Sequence, residues 1–393
     1  MVNFPTFTLL AVFLTISITE AQNLDIANRY IVKIKESANS NEVNQFLKAK
    51  LDQYNRGRSG TNSIKNELKT KFSLKNFNAY TGIFSEAFVS ELKANENIEY
   101  VEAEQVFTTS GIQLSPPSWG LPRISQRASN LSAPYHYPDS AGEGVDVYVI
   151  DTGIYVNHSE FQGRASLPIS FINGEAADDL NGHGTHVAGI IGGTSYGVAK
   201  KVKLIGVKVL SGSGSGTTSA VISGINWVAQ QAIASGRKSI ANMSLGGGNS
   251  EALKQAVNAA VNAGVTFIVA AGNGNQDACN TSPANAALAF AVGASTANDS
   301  VSSSSSYGPC IKLFAPGQDI KSAWIGGPSA SKVLPGSSMA SAHVAGVAAI
   351  YFSQGGLDTP AAAYSALVSR ATKNVLTGLT GTTPNALVFN SNQ

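Results

Sequence analysis

Two patterns of apolar and polar positions divide the chain. Between residues 29 and 107, Tyr30, Val32 and Ile34 alternate with Ile31, Lys33 and Lys35, the period of two expected of a strand. Val43, Phe46, Leu47 and Leu51 follow Asn39 and Ser40, a cap-like pair, at helical spacing. A strand-rich stretch from Phe72 to Phe84, a helix carrying Phe88, Val89 and Leu92, and a strand around Ile98 to Val106 complete the order β-α-β-β-α-β. That is the order of a small ferredoxin-like α+β module. Thr108 to Pro117, small and polar with two prolines at its end, reads as a linker.

From about residue 144 the pattern changes to short apolar runs alternating with helical segments. Val145 to Ile150, Leu204 to Leu210, Ile240 to Leu245, Val265 to Ala270 and Leu288 to Val292 predict strands. Gly184 to Gly192, Thr218 to Ser235, Glu251 to Ala263 and Ser338 to Ser353 predict helices. Continuous rather than alternating apolar strands imply burial on both faces, hence an α/β fold with a mostly parallel central sheet covered by helices on both sides. Ligands in such folds bind beyond the carboxyl ends of the strands.

The first 21 residues hold an apolar run from Phe4 to Ile18 that ends in small residues, too short to span a bilayer and placed where a secretory signal stands. The chain is therefore expected to be secreted, with 1–21 a signal peptide, 22–110 the small module and 111–393 the α/β domain; no other stretch predicts a membrane span. Composition adds that 43% of the 393 residues are hydrophobic and 13% charged, with 27 Lys and Arg against 25 Asp and Glu. That balance excludes a disordered chain and lacks the basic footprint of a nucleic-acid binder. Of these charges, 12 basic and 11 acidic residues fall within 22–110. The longer domain is thus sparse in charge and rich in Gly, Ala and Ser. Export makes Cys279 and Cys310 a candidate disulfide, two free buried thiols being the alternative. It also makes Asn130, Asn157, Asn242, Asn280 and Asn298 glycosylation sequons, although Asn242 falls inside a predicted strand and should be inaccessible.

Three side chains carry candidate chemistry. Asp151 ends the predicted strand in VIDTGI and could cap a turn, bind a metal or meet a ribose. His183 stands in NGHGTHVAG between glycines at a helix start; His186, three residues on, raises a metal site, but no Glu shares that face and no third ligand stands out. Ser338, in PGSSMASAHVAG at the head of a small-residue helix, is either an N-cap or a nucleophile whose backbone N–H stabilises an oxyanion. Gly212, Gly214 and Gly216 approach a dinucleotide-binding pattern, yet no acidic residue follows before Glu251 to meet a ribose. An oxidoreductase is the weaker rival for that reason.

Taken in order, VIDTGI, HGTHVAG and GSSMA closely resemble the motifs of subtilisin-like serine proteases. WGLPRIS, YGVAKKVKLIGVKVL, SLGGG, VAAGN and the segment Phe314 to Gly317 resemble the proteinase K branch, over about residues 112 to 375. The resemblance implies an Asp151–His183–Ser338 triad acting through an acyl-enzyme, Asn273 as a side-chain donor to the oxyanion, and two substrate-binding edges, Gly214–Ser215–Gly216 and Ser244–Leu245–Gly246. It implies that Cys279 and Cys310 are bridged and that the first module is an inhibitory propeptide, product-like in the cleft until self-cleavage near residues 107 to 112. Polypeptides are then the substrates. With no acidic residue between Asp179 and Glu251 to mark a basic-selective pocket, cleavage after apolar or aromatic residues is expected. No cofactor is needed for that chemistry. Departures stand at Ser337, where the family usually has Thr, at Ala342, where it usually has Pro, and at Lys312 and Arg370, where relatives often place calcium carboxylates; a cation cannot ligate calcium, so those two sites are expected to be missing, while a structural calcium at another site stays open. The chain is expected to be monomeric. The remaining alternative is a catalytically silent protein of the same fold that serves only to bind.

Overall fold

The structure is a computed structural model that describes residues 28–56, 64–104 and 110–390. The expected signal peptide and residues 107–109 of the 107–112 junction therefore lie outside the described residues. The chain divides into two units, one up to Phe107 and one from Thr108. Among the described residues no helix is long and apolar enough to cross a membrane.

In the smaller unit, β1 (Arg29–Ile34), α1 (Ser40–Asn55), β2 (Glu67–Leu74), β3 (Phe77–Ile83), α2 (Glu86–Ala94) and β4 (Ile98–Ala103) occur in the predicted order. The strands form an antiparallel sheet ordered β2-β3-β1-β4. Val43 and Leu47 of α1 and Phe88 and Leu92 of α2 bury against Val32, Ile34 and Val101 of the sheet. Asn39 caps α1 by accepting from Asn41 N. A turn at Lys75 and Asn76 splits the stretch from Phe72 to Phe84 into β2 and β3, with Asn76 at φ 65°, a conformation Asn tolerates better than most residues.

The larger unit is built on nine strands. Their ranges are β5 (Asp146–Asp151), β6 (Ala165–Ser170), β7 (Lys203–Lys208), β8 (Ser239–Met243), β9 (Thr266–Ala270), β10 (Phe290–Ser295), β11 (Ile311–Pro316), and, after the hairpin β12 (Ile320–Ala323) and β13 (Ser331–Leu334), the short β14 (Thr372–Lys373) and β15 (Ala386–Leu387). The sheet runs β14-β15-β11-β10-β9-β8-β5-β7-β6, parallel throughout except where β14 meets β15. Along β5, Val147 and Val149 enter one core while Tyr148 and Ile150 enter the other. Both faces are buried, which is why the strands read as unbroken apolar runs.

One core receives α3 (His183–Gly192) and α6 (Ser337–Ser353), the other α4 (Thr218–Ser235) and α5 (Glu251–Asn262); α7 (Pro360–Arg370) adds Ala363, Ala366 and Leu367 to the first. The difference shows in the sequence. Leu253, Val257, Ala260 and Val261 give α5 one buried stripe, whereas α6 is buried from Ser337 to Phe352 and is accordingly small and apolar all round. Thr217, Ser250 and Thr359 cap α4, α5 and α7 through their side-chain oxygens.

The predicted elements recur within two residues at most boundaries. The strand predicted from Leu288 starts at Phe290, because the Leu288 N–H is taken by Asn258 Oδ1 and its side chain faces outward. The strand predicted through Leu210 ends at Lys208, since beyond it the chain turns to reach Asp151 O. The edge strand β6 escapes the pattern because it is half-exposed and interrupted by Pro168.

Candidate active site

Strand order places a crevice before any side chain is considered. The chain passes from β5 to β6 and β7 on one side and then to β8, β9, β10 and β11 on the other, so connections leave in opposite directions at β5. The crevice lies beyond the carboxyl ends of these strands. Asp151 ends β5, Ser244 follows β8, and Asn273 follows β9. Asn242 pairs with Val149, so two residues further along the parallel register Ser244 comes beside Asp151.

Asp151 is fully buried, and its Oδ1 accepts from Thr152 N at 2.8 Å and lies 2.7 Å from His183 Nδ1. A carboxylate at that distance requires the proton on Nδ1, which leaves the Nε2 lone pair free. Burial pulls the His183 imidazole towards neutrality, but the charge and hydrogen bond of Asp151, with Asp179 adding, carry its pKa above the ordinary value of 6.5. His183 opens α3, whose cap position is Gly182 at φ 102° and offers no side chain. Asp179 supplies the missing acceptor. Its Oδ1 accepts from Gly182 N, Asn181 N and Thr152 Oγ1, and its Oδ2 from Thr185 N and Thr185 Oγ1, at 2.6–3.1 Å. Thr152 Oγ1 accepts in turn from Gly184 N at 2.9 Å. The Asp151 strand end and the His183 helix start are thereby tied together.

Ser338 is the second residue of α6, entered through Gly336 at φ 139°. Its Oγ donates to Ser244 O at 3.1 Å, and among the described residues no hydrogen bond joins it to His183. The structure thus pairs Asp151 with His183 and ties Ser338 to the end of β8. A hydroxyl turns about a single bond, and catalytic hydrogen bonds are commonly loose without substrate. The Ser338 carbonyl accepts from Ser244 Oγ at 3.0 Å and Ser341 Oγ at 2.9 Å, and Asn242 Nδ2 donates to Ser244 Oγ at 2.7 Å.

Asn273 is exposed, and its Oδ1 accepts from Ser337 N at 2.8 Å and Ser337 Oγ at 2.9 Å. Two donors at one end identify that end as the oxygen, leaving Nδ2 to donate elsewhere. A Cβ on Gly336 would stand 3.2 Å from Nδ2 and would also have to adopt a positive φ, so glycine is required there. Ser337 Oγ also accepts from Gly272 N at 3.1 Å.

Neither segment expected to bind substrate is a strand by itself. Gly214 turns at φ 80° and Ser211 N donates to Ser215 O at 2.8 Å, closing the segment that holds Gly214, Ser215 and Gly216 upon itself. Among the described residues Ser244, Leu245 and Gly246 have no ladder partner, and pairing resumes only at Gly247 and Gly248. Such strands form only if a peptide supplies the second ladder, which is why the pattern cannot complete them alone. Buried Lys208 donates to Thr152 O and Leu210 O and pairs with Glu175, whose carboxylate accepts from Gly212 N.

Cys279 and Cys310 are bonded to each other, with Cα atoms 5.3 Å apart. His186 is buried with its Nε2 against Ile320 O and Lys332 O, and burial lowers its pKa to about 4; it holds backbone rather than metal. Among the described residues no group of three or more His, Cys, Asp or Glu could hold a metal ion. Lys312 is exposed, and the Arg370 guanidinium stacks over Tyr351 at 4.5 Å, so these two positions do not fit a cation. The sequence reading missed Asp179, Ser341 and Lys208, and noted Ser337 only as a departure from the family motif. A carboxylate three residues before a glycine cap was a legible signal for Asp179; the contacts of the other three became visible only once helix and strand ends met.

Comparison with known proteins agrees with this geometry. The subtilase family model matches residues 142–386, and the peptidase inhibitor I9 model matches residues 29–110. A cuticle-degrading protease of Metarhizium anisopliae is 44% identical over 93% of this chain and 90% of its own length. An extracellular serine proteinase of Thermus sp. (strain Rt41A) is 43% identical over 93% and 90%. The crystal structure of a cold-adapted subtilisin-like serine proteinase superposes with a TM-score of 0.66 at 50% identity, covering 70% of this chain and 98% of the other. A parallel sheet with its chemistry at the carboxyl edge, an inhibitor module ahead of it and similarity along most of the length lead to one conclusion: the chain belongs to the subtilase family and is a subtilisin-like serine protease with an I9 propeptide.

Proposed function

We propose that the protein is a secreted, self-processing endopeptidase that cleaves peptide bonds through an Asp151–His183–Ser338 triad. The 2.7 Å contact between Asp151 Oδ1 and His183 Nδ1 carries this reading, because it orients the imidazole with a basic Nε2. Ser338 Oγ turns from Ser244 O and attacks the scissile carbonyl as His183 Nε2 takes its proton. Asp151 stabilises the imidazolium. The developing oxyanion accepts from Ser338 N–H and Asn273 Nδ2. Collapse expels the amine, protonated by His183, and leaves an ester on Ser338 that water hydrolyses by the same steps in reverse order.

An extended substrate supplies the ladder that the segments Gly214–Gly216 and Ser244–Gly246 lack, which makes recognition largely independent of sequence. The absence of an acidic residue between Asp179 and Glu251 supports an apolar or aromatic preference at the cleaved bond. Asn130, Asn157, Asn280 and Asn298 are exposed and open to glycosylation on export, whereas Asn242 is fully buried.

Labelling with a fluorophosphonate tests the reading. The wild-type protein should bind the probe covalently, Ser338→Ala should not, and His183→Ala should label far more slowly. A folded wild-type protein that ignores the probe would make this a silent member of the family. Cleavage after Lys or Arg in a denatured protein mixture would refute the apolar preference alone.

A further inference from the structure

At the amino ends of the parallel strands, on the edge opposite the candidate active site, the larger unit carries an apolar groove of about 600 Å³. It lies between the end of α5, the turn entering β10, the start of β11 and the first turns of α7. Val261, Leu288, Phe290, Pro360, Tyr364 and Val368 make its walls. Leu288 is 37% and Val368 38% exposed, so two large apolar side chains at the groove remain in contact with water. The Phe290 and Tyr364 rings pack with centroids 5.2 Å apart. The Tyr364 hydroxyl is consumed by Phe267, accepting from its N at 2.9 Å and donating to its O at 3.1 Å, so the residue offers the groove only its ring.

The charges along this groove are unequal. Asp358 is paired with Lys238 at 2.5 Å. Lys373 donates to Val368 O at 2.6 Å. Lys312 lines the groove, is exposed, and has no hydrogen bond or ion pair among the described residues. A volume of a few hundred cubic ångströms with apolar walls and a few polar groups is the size of a small-molecule site. The uncompensated charge at its edge is positive.

We infer that the groove binds a single-chain amphiphilic anion, such as an alkyl carboxylate or alkyl sulfate. Its tail lies against Leu288, Phe290, Tyr364 and Val368, and its head group pairs with Lys312 Nζ. The apolar walls supply affinity and Lys312 supplies preference for an anion. Because the groove is on the edge away from Asp151, His183 and Ser338, occupancy leaves peptide hydrolysis untouched, and the inference stands independently of the proposed mechanism.

Calorimetric titration of decanoate, below its micellar concentration, into the full chain carrying Ser338→Ala tests it, with decan-1-ol as the uncharged control. One saturable site is expected. Lys312→Glu should weaken decanoate about five- to tenfold, as loss and reversal of one solvent-facing ion pair allow, while leaving decan-1-ol unchanged. Leu288→Asp and Val368→Asp, each at a water-facing position, should abolish binding of both without lowering the melting temperature. Binding that survives both apolar replacements, or no saturable binding at all, overturns the site. Equal effects of Lys312→Glu on the acid and the alcohol overturn its preference for an anion. A dimer in sedimentation that Val368→Asp separates, with no decanoate bound, would make the groove a self-association face instead.

Discussion

Asn273 illustrates how a single side chain acquires a role from its neighbour. Its oxygen is held by two donors of Ser337, so its amide nitrogen is the end left for an oxyanion. Replacing Asn273 by Ala should lower kcat about 10²- to 10³-fold with little change in KM. Ser337→Ala removes only one of the two anchors and should cost about tenfold in kcat, with Ser337→Thr restoring it. In the proposed mechanism His183 carries the pH dependence. Its pKa lies above 6.5, so the protonated, inactive form persists to higher pH, and the neutral base is gained only as pH rises through the shifted value. The acid limb of kcat/KM should therefore fall above pH 6.5. Asp151→Asn removes the charge that raises it, so the limb should move to lower pH while kcat drops about 10⁴-fold. Of these residues the proposed triad and Asn273 are nominated by the motifs. Ser337 was legible only as a departure, because its contact with Asn273 joins two strand-to-helix connections far apart in sequence.

Helix α3 is the element on which the site depends most. Its amino end has a glycine cap without a side chain, and the exposed helix donors are satisfied instead by Asp179 and Thr152. Asp179→Ala strands several buried donors at once. It should lower stability by about 2–4 kcal/mol, read as a smaller denaturation midpoint in urea at unchanged slope. Activity should fall with it, since the His183 ring would lose its fixed approach to Asp151. The disulfide joins the turn after β9 to the start of β11 across 31 residues. Replacing both cysteines by Ser should cost about 3 kcal/mol in the same assay, chiefly by freeing the unfolded chain. Helix periods, capping residues and apolar strand runs were open to reading because they are local. The strand predicted from Ile240 to Leu245 stops at Met243, because beyond it no ladder partner stands among the described residues.

Each unit has its own hydrophobic core, and in the larger one a sheet buried on both faces separates two cores. The proposed catalytic site and the apolar groove occupy opposite edges of that sheet, so Lys312→Glu should leave kcat/KM for a peptide substrate within about twofold of wild type. The proposed self-processing belongs to the whole chain. Wild-type protein recovered from a culture medium should migrate as separate propeptide and protease, and Ser338→Ala as one longer chain. Trimming of Ser338→Ala expressed alone would assign the cut to another protease.

The order of elements and the burial of both sheet faces follow from the linear chain, because apolar period is a local property, and the motifs nominate the side chains proposed to react. What the fold added was convergence. It joined Asp179 to Thr152 at the end of β5, set the Asn273 oxygen on Ser337, turned Ser338 towards Ser244 and left Lys312 unpaired among the described residues beside an apolar groove. Each of those depends on distances between segments tens to hundreds of residues apart. Only packing, which closes chain loops against their entropy, sets such distances.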